Sequence, residues 1–202
     1  MRGRLLAFDR GSACRQPCGE RRGVPGRAPP APGAAHMIVF AIRSIGPSDH
    51  PAVKMLLEEA FDGPGEARLT NELRADGHVV LELGAFDADR LIGVVVFSRL
   101  MIEGPGASFP AVALAPVATA ADARRAGVAT SLIETAHRQL IEAGERLSVV
   151  LGEPEFYSRF GYEVERAEGF SSPWQGPYMQ AVAWGDAPEH GQLHYAPAFD
   201  RL

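Results

Sequence analysis

The chain has 202 residues, 46% of them hydrophobic and 22% charged, with a formal net charge of −5. That is more than one small domain needs and less than two ordinary domains take, so the length favours one domain with an appendage. The composition is that of a globular protein and excludes a collagen or a disulfide scaffold; no apolar run approaches the ~18–20 residues of a membrane span.

The appendage is N-terminal. Residues 1–36 hold seven Arg against Asp9 and Glu20, with six Gly and five Pro, a formal charge of +5; the rest of the chain holds 13 Lys and Arg against 23 Asp and Glu, or −10. Leu5-Leu6-Ala7-Phe8 is too short for the apolar core of a secretory signal, and the prolines break the amphipathic helix of a presequence. Residues 1–36 therefore read as a disordered leader or an upstream extension of a protein that starts at Met37, and 37–202 as one folded, cytoplasmic domain. A basic arm touching nucleic acid is the alternative for the tail. The domain's own charge repels a phosphate backbone, which argues against nucleic acid, and attracts a cationic amine. Cys14 and Cys18 both lie in the tail, which leaves the domain no thiol for a disulfide, a zinc site or a nucleophile.

A first strand is expected over 38–44, ended by Gly46-Pro47. Ser48 offers an N-cap, and Val53, Leu56, Leu57, Ala60 and Phe61 recur at helical spacing. A second helix over 65–75 carries Leu69 and Leu73 on one face and is closed by Gly77. Strands from His78 to Phe86 and from Arg90 to about Ile102 form a hairpin through Asp87-Ala88-Asp89, and a fourth strand runs from Phe109 to Val117. From 127 to 143 the period is helical, Gly144 stops it, and Leu147–Leu151 is the next strand. That spacing is a crossover unit with parallel neighbours. A short helix about 154–160, a strand from Tyr162 and a strand over 178–184 follow, and the Pro-, His- and Gly-rich end has no assignable element. The class is α+β, with a mixed, mostly antiparallel sheet flanked by helices.

Chemistry concentrates at Arg124-Arg125-Ala126-Gly127-Val128-Ala129, between a strand and a helix. A helix N-terminus offers unpaired N–H groups and a positive dipole end. Small residues there admit a phosphate, and arginines add bidentate contacts. An ordinary solvated turn is the alternative reading. His190-x-x-x-His194 would place two rings on one helix face, but Gly191 intervenes and no third ligand is evident, so no metal is expected.

Arg124-x-x-Gly127-x-Ala129 resembles the Q/R-x-x-G-x-G/A element of the GNAT superfamily of N-acetyltransferases. Phe156-Tyr157-Ser158-Arg159-Phe160-Gly161-Tyr162 resembles that family's Y-x-K-x-G-F ending. The resemblance spans about Ile38 to Trp184. Glu66–Arg74, Leu114–Val117, Leu151–Tyr157 and Pro173-Trp174 look like the YhbS-type branch. One departure is Ala118-Thr119-Ala120-Ala121-Asp122-Ala123, where many members have a bulky residue and Pro after the fourth strand.

The resemblance implies a three-layer fold whose sheet splays between its fourth and fifth strands, and an acetyl-CoA-dependent N-acetyltransferase without a metal. It implies pantetheine contacts at Val117 and Ala118, and pyrophosphate contacts at Arg124, Arg125, Gly127, Val128, Ala129 and Thr130. It makes Tyr157 the general acid; otherwise Tyr157 is a tyrosine packing a short helix on the sheet. Glu103 and Glu153 are the carboxylates expected near the cleft as a base, with a water chain as the alternative. The acceptor is expected between the first helices, 48–76, and the C-terminal segment, 170–200. A homodimer is compatible with the family. A non-catalytic acyl-CoA-binding or sensing domain of the same fold is the alternative function.

Overall fold

The computed structural model describes residues 39–104 and 106–201. Residues 1–36, expected as a disordered leader or start-site extension and holding both cysteines, and the expected start at Met37 lie outside the described residues. The chain runs β1 (Ala41–Ser44), α1 (His50–Ala60), α2 (Gly65–Ala75), β2 (Val79–Asp87), β3 (Arg90–Gly104), β4 (Ala107–Thr119), α3 (Val128–Glu142), β5 (Leu147–Leu151), α4 (Pro154–Tyr157), α5 (Val164–Ala167), β6 (Phe170–Ser171), β7 (Met179–Ala183) and β8 (Gly191–Tyr195).

The main sheet order is β1-β2-β3-β4-β5-β7, antiparallel throughout except for the parallel neighbours β4 and β5. β3 outruns β2, and its end from Leu100 to Glu103 pairs with β8, which in turn takes β6 alongside it in parallel. The apolar stripes that mark α1 and α3 in sequence, Val53 with Leu57 and Leu132 with Ile133 and Ala136, are fully buried in one cluster with β2, β3 and β4. Each such burial stabilises the fold by about 1.5–3 kcal/mol for the large side chains. A Cβ at Gly93 in β3 would collide with Val128 and approach Leu132 closely. The missing side chain lets the first turns of α3 lie directly on the sheet, beside the end of β4.

The sheet opens where β4 gains a residue. Val95 faces Val117 and Phe97 faces Leu114, so β4 carries one residue more than β3 in that interval. Such a bulge bends the strand, and Pro116 within it has no N–H to donate. Pairing with β5 runs from Val112 to Leu114 and stops there, while Val117, Ala118 and Thr119 stay paired to β3. A wedge is left between β4 and β5.

Three local expectations change. Ser48 lies inside a short 3-10 turn over Pro47–Asp49, and the Asp49 carboxylate takes the capping role, accepting the Gly46 N–H at 2.9 Å while it pairs with Arg43 at 2.7 Å. The strand from Tyr162 reduces to a single bridge between Glu163 and Ala181 before α5 begins. Tyr162 itself is turned wholly inward, its hydroxyl 2.8 Å from Ser148 Oγ. The C-terminal end forms β8 and a 3-10 turn over Pro197–Arg201, so His194 sits on a strand and shares no helix face with His190.

Candidate functional site: two cavities joined at an open seam

The first cavity, about 890 Å³, lies where β4 ends and α3 begins. Its geometry is local. After a 3-10 turn over Ala121–Ala123, Arg125 adopts φ +63° and Gly127 φ +82°, both in the left-handed region. Gly127 is the N-cap of α3 and has no side chain to satisfy the N–H groups of Val128, Ala129 and Thr130. These donors, with the helix dipole behind them, form an anion-binding cradle. Thr119 Oγ1, also on the lining, is buried without a protein partner.

The charged side chains lining this cavity are Arg124, Arg125 and Arg159. Arg159 was not singled out from sequence. It arrives from the 3-10 turn Ser158–Phe160 and donates to Thr130 Oγ1 at 2.7 Å, with its guanidinium 5.2 Å from the Phe156 ring centroid and 5.5 Å from that of Phe160. Its only sequence signal was its place two residues after Tyr157 in the second motif. Every expected cofactor residue, from Val117 and Ala118 to Thr130, lines this one cavity.

Tyr157 stands at the exit of β5. Its ring lies against Gly152, between Phe156 at 5.0 Å and Tyr162 at 5.8 Å, and is buried. Burial pushes the phenol's pKa well above its ordinary range, so it stays protonated. The two carboxylates expected nearby part company. Glu153 is the N-cap of α4, where its carbonyl accepts the N–H groups of Phe156 and Tyr157 at 3.0 and 3.2 Å. Glu103 pairs with Ser108 at the opposite end of the β3–β4 hairpin. That places it roughly 20 Å along β4 from the seam, with its exposed carboxylate 3.1 Å from His194 Nε2. The structure does not bring Glu103 to the cleft, because β3 runs past β2 and carries its end away from it.

A second cavity, about 880 Å³, opens along the same seam, between Leu114 and Ala115 of β4 and Val150 and Leu151 of β5. An aromatic cluster of Trp174, Tyr195 and Phe199, with centroids 4.7, 5.4 and 6.0 Å apart, forms part of its wall. Phe61, at the C-cap of α1, borders both cavities. Leu114, Ala115, Leu151 and Trp174 lie in stretches that carry the family resemblance, whereas Tyr195 and Phe199 fall in the C-terminal end that had no assignable element.

The acetyltransferase (GNAT) domain family matches residues 41–165. The chain belongs to the GNAT acetyltransferase family. It is 35% identical over 131 residues to the uncharacterized N-acetyltransferase YhbS of Escherichia coli K12, covering 64% of this chain and 77% of that one. Among solved structures, YhbS from Escherichia coli in complex with CoA matches with a TM-score of 0.75 at 30% identity, covering 84% of this chain and 96% of that one. A GNAT family acetyltransferase from Brucella melitensis in complex with acetyl-CoA matches with a TM-score of 0.69 at 28% identity, covering 81% and 99%. The GNAT fold, with its single parallel β4–β5 pair in an otherwise antiparallel main sheet, is therefore the one expected from the motifs.

Proposed function

We propose that this protein transfers an acetyl group from acetyl-CoA directly to an amine nitrogen held in the second cavity. The observation that carries this reading is a pair of cavities that share Phe61: one lined by the first turn of α3 and three arginines, the other lying between β4 and β5. Relatives crystallised with CoA and acetyl-CoA support the choice of cosubstrate.

The residues fit that cosubstrate. The first-turn amides of α3 and the guanidiniums of Arg124, Arg125 and Arg159 would hold the pyrophosphate. The N–H of Val117, on the stretch of β4 that has left β5 and on the edge turned away from β3, would receive the pantetheine arm, with Ala118 lining the cavity beside it. Acetyl-CoA supplies an activated thioester carbonyl. In the transfer a C–N bond forms and the C–S bond breaks; the nitrogen's proton passes to water, and the departing thiolate takes the phenolic proton of Tyr157, which solvent then restores. Burial keeps that phenol protonated, so the proton is present to be given, and makes it a weaker acid than a phenol in water. Direct attack also suits a domain whose sequence contains no cysteine to carry the acetyl group.

Titration with acetyl-CoA followed by release of free thiol in the presence of amines tests the reading. Binding together with thiol release supports it. Binding without turnover across a broad amine panel favours a non-catalytic sensing domain, and failure to bind any acyl-CoA overturns both.

A further inference from the structure

The two cavities, which share Phe61, carry opposite charge. Arg124, Arg125 and Arg159 line the first, whereas Asp62 and Glu66 are the charged residues lining the second. Glu66 sits in the first turn of α2, half-buried, on the lining of a chamber whose remaining wall is largely aromatic and aliphatic. Its backbone carbonyl is used, accepting from Thr70 Oγ1 at 2.8 Å. The cavity that Glu66 lines has no basic side chain on its lining. A ligand carrying a carboxylate or phosphate would meet only like charge there. A ligand with one ammonium and an apolar body would meet Glu66 at one end and the Trp174–Tyr195–Phe199 cluster at the other.

We propose that the acceptor is a small monoamine on an aromatic or bulky apolar body without a carboxylate, and that Glu66 is the residue that recognises its nitrogen. This rests on the reading of the second cavity as the acceptor site. The volume, about 880 Å³, is in the range of pockets for small molecules. The lack of a basic side chain on the lining disfavours free α-amino acids, whose carboxylate would be desolvated without a partner. Spermidine carries three ammonium groups against the two lining carboxylates, Asp62 and Glu66, so at least one would lie against carbon. Phe61, shared by both cavities, sets how far the amine reaches toward the seam.

The test separates this proposal from the cofactor reading. Acetyl-CoA binding is first measured alone, and its absence overturns the proposed function whatever the acceptor. On the full chain saturated with CoA, 2-phenylethylamine, phenylalanine and spermidine are then titrated by calorimetry, with the fluorescence of Trp174 as a second readout. We expect 2-phenylethylamine to bind at least tenfold more tightly than phenylalanine or spermidine. Glu66→Gln weakens it at least tenfold, Glu66→Asp less, and neither changes CoA affinity. The proposal is overturned if phenylalanine or spermidine binds as well as the monoamine, if 2-phenylethylamine does not bind, or if Glu66→Gln leaves its affinity unchanged while CoA still binds.

Discussion

The ring of Tyr157 occupies the space that a side chain at position 152 would need: a Cβ on Gly152 would overlap Cε2 and Cδ2 of that ring. The absence of a side chain just past β5 therefore sets where the phenol stands, and Phe156 and Tyr162 close it in from other sides. Gly152→Ala should displace the ring, lower kcat/KM at least tenfold and destabilise the fold by about 1–3 kcal/mol, the usual cost of overpacking. In a Tyr157→Ala background the same substitution should cost much less, because the two residues compete for one volume. Urea denaturation of the four proteins of this cycle checks it.

Tyr157→Phe keeps the ring's packing and removes only the hydroxyl. It should lower kcat by about 10²-fold, the scale of general-acid catalysis, with acetyl-CoA affinity and Tm little changed. A variant that binds acetyl-CoA normally and turns over at the parent rate would remove Tyr157 from the chemistry.

Arg159 is tied to α3 through Thr130, so it should contribute to cofactor affinity even though it is distant in sequence from the Arg124–Ala129 motif. Arg159→Ala should weaken acetyl-CoA binding about tenfold or more, the scale of a lost charge-assisted contact. The deficit should shrink at high salt, where a phosphate contact is worth less. Thr130→Val should produce a smaller loss in the same direction. Calorimetric titration at two ionic strengths distinguishes this from a general loss of structure.

Gly127 holds φ +82° with nothing within 4 Å of a Cβ placed there. Gly127→Ala should therefore cost about 1–2 kcal/mol through backbone strain alone, and should weaken acetyl-CoA binding as the turn relaxes. Gly127→Asn, a residue that tolerates the left-handed region, should recover part of both. Thermal denaturation with and without acetyl-CoA reads the two effects separately.

His137 predicts a pH dependence of stability. It is buried among Phe97, Tyr162 and Trp184, with Nε2 3.2 Å from the Tyr162 hydroxyl, and burial lowers its pKa to about 4. The unfolded chain, at the ordinary value of 6.5, binds the proton first as pH falls. Stability should thus be full above pH 6.5, decline between 6.5 and about 4, and level off below, a loss of at most about 3 kcal/mol. His137→Phe should flatten that part of the urea-midpoint profile; an unchanged slope would place its origin elsewhere.

The sequence by itself determined the elements whose signal is local. Helical spacing in α1 and α3, alternation and turn residues around β2 and β3, and the small residues at 127 and 129 depend on neighbours within a few positions, and the structure has these elements where periodicity placed them. The turn at the start of α3 was legible for the same reason, since its amides belong to one continuous segment. Only the tertiary structure decided what depends on residues far apart. Tyr162 reads as a strand residue, but its hydroxyl is drawn inward to Ser148, and the chain curls into α5 beyond a single bridge. Glu103 reads as a cleft carboxylate, but β3 outruns β2 and carries it to the far end of the hairpin. The second cavity draws Phe61, Glu66, Trp174, Tyr195 and Phe199 from segments more than a hundred residues apart in the chain. The resemblance pointed to those two segments, but which of their side chains share a wall is decided by the fold, because that common volume exists only after the sheet has bent and opened between β4 and β5.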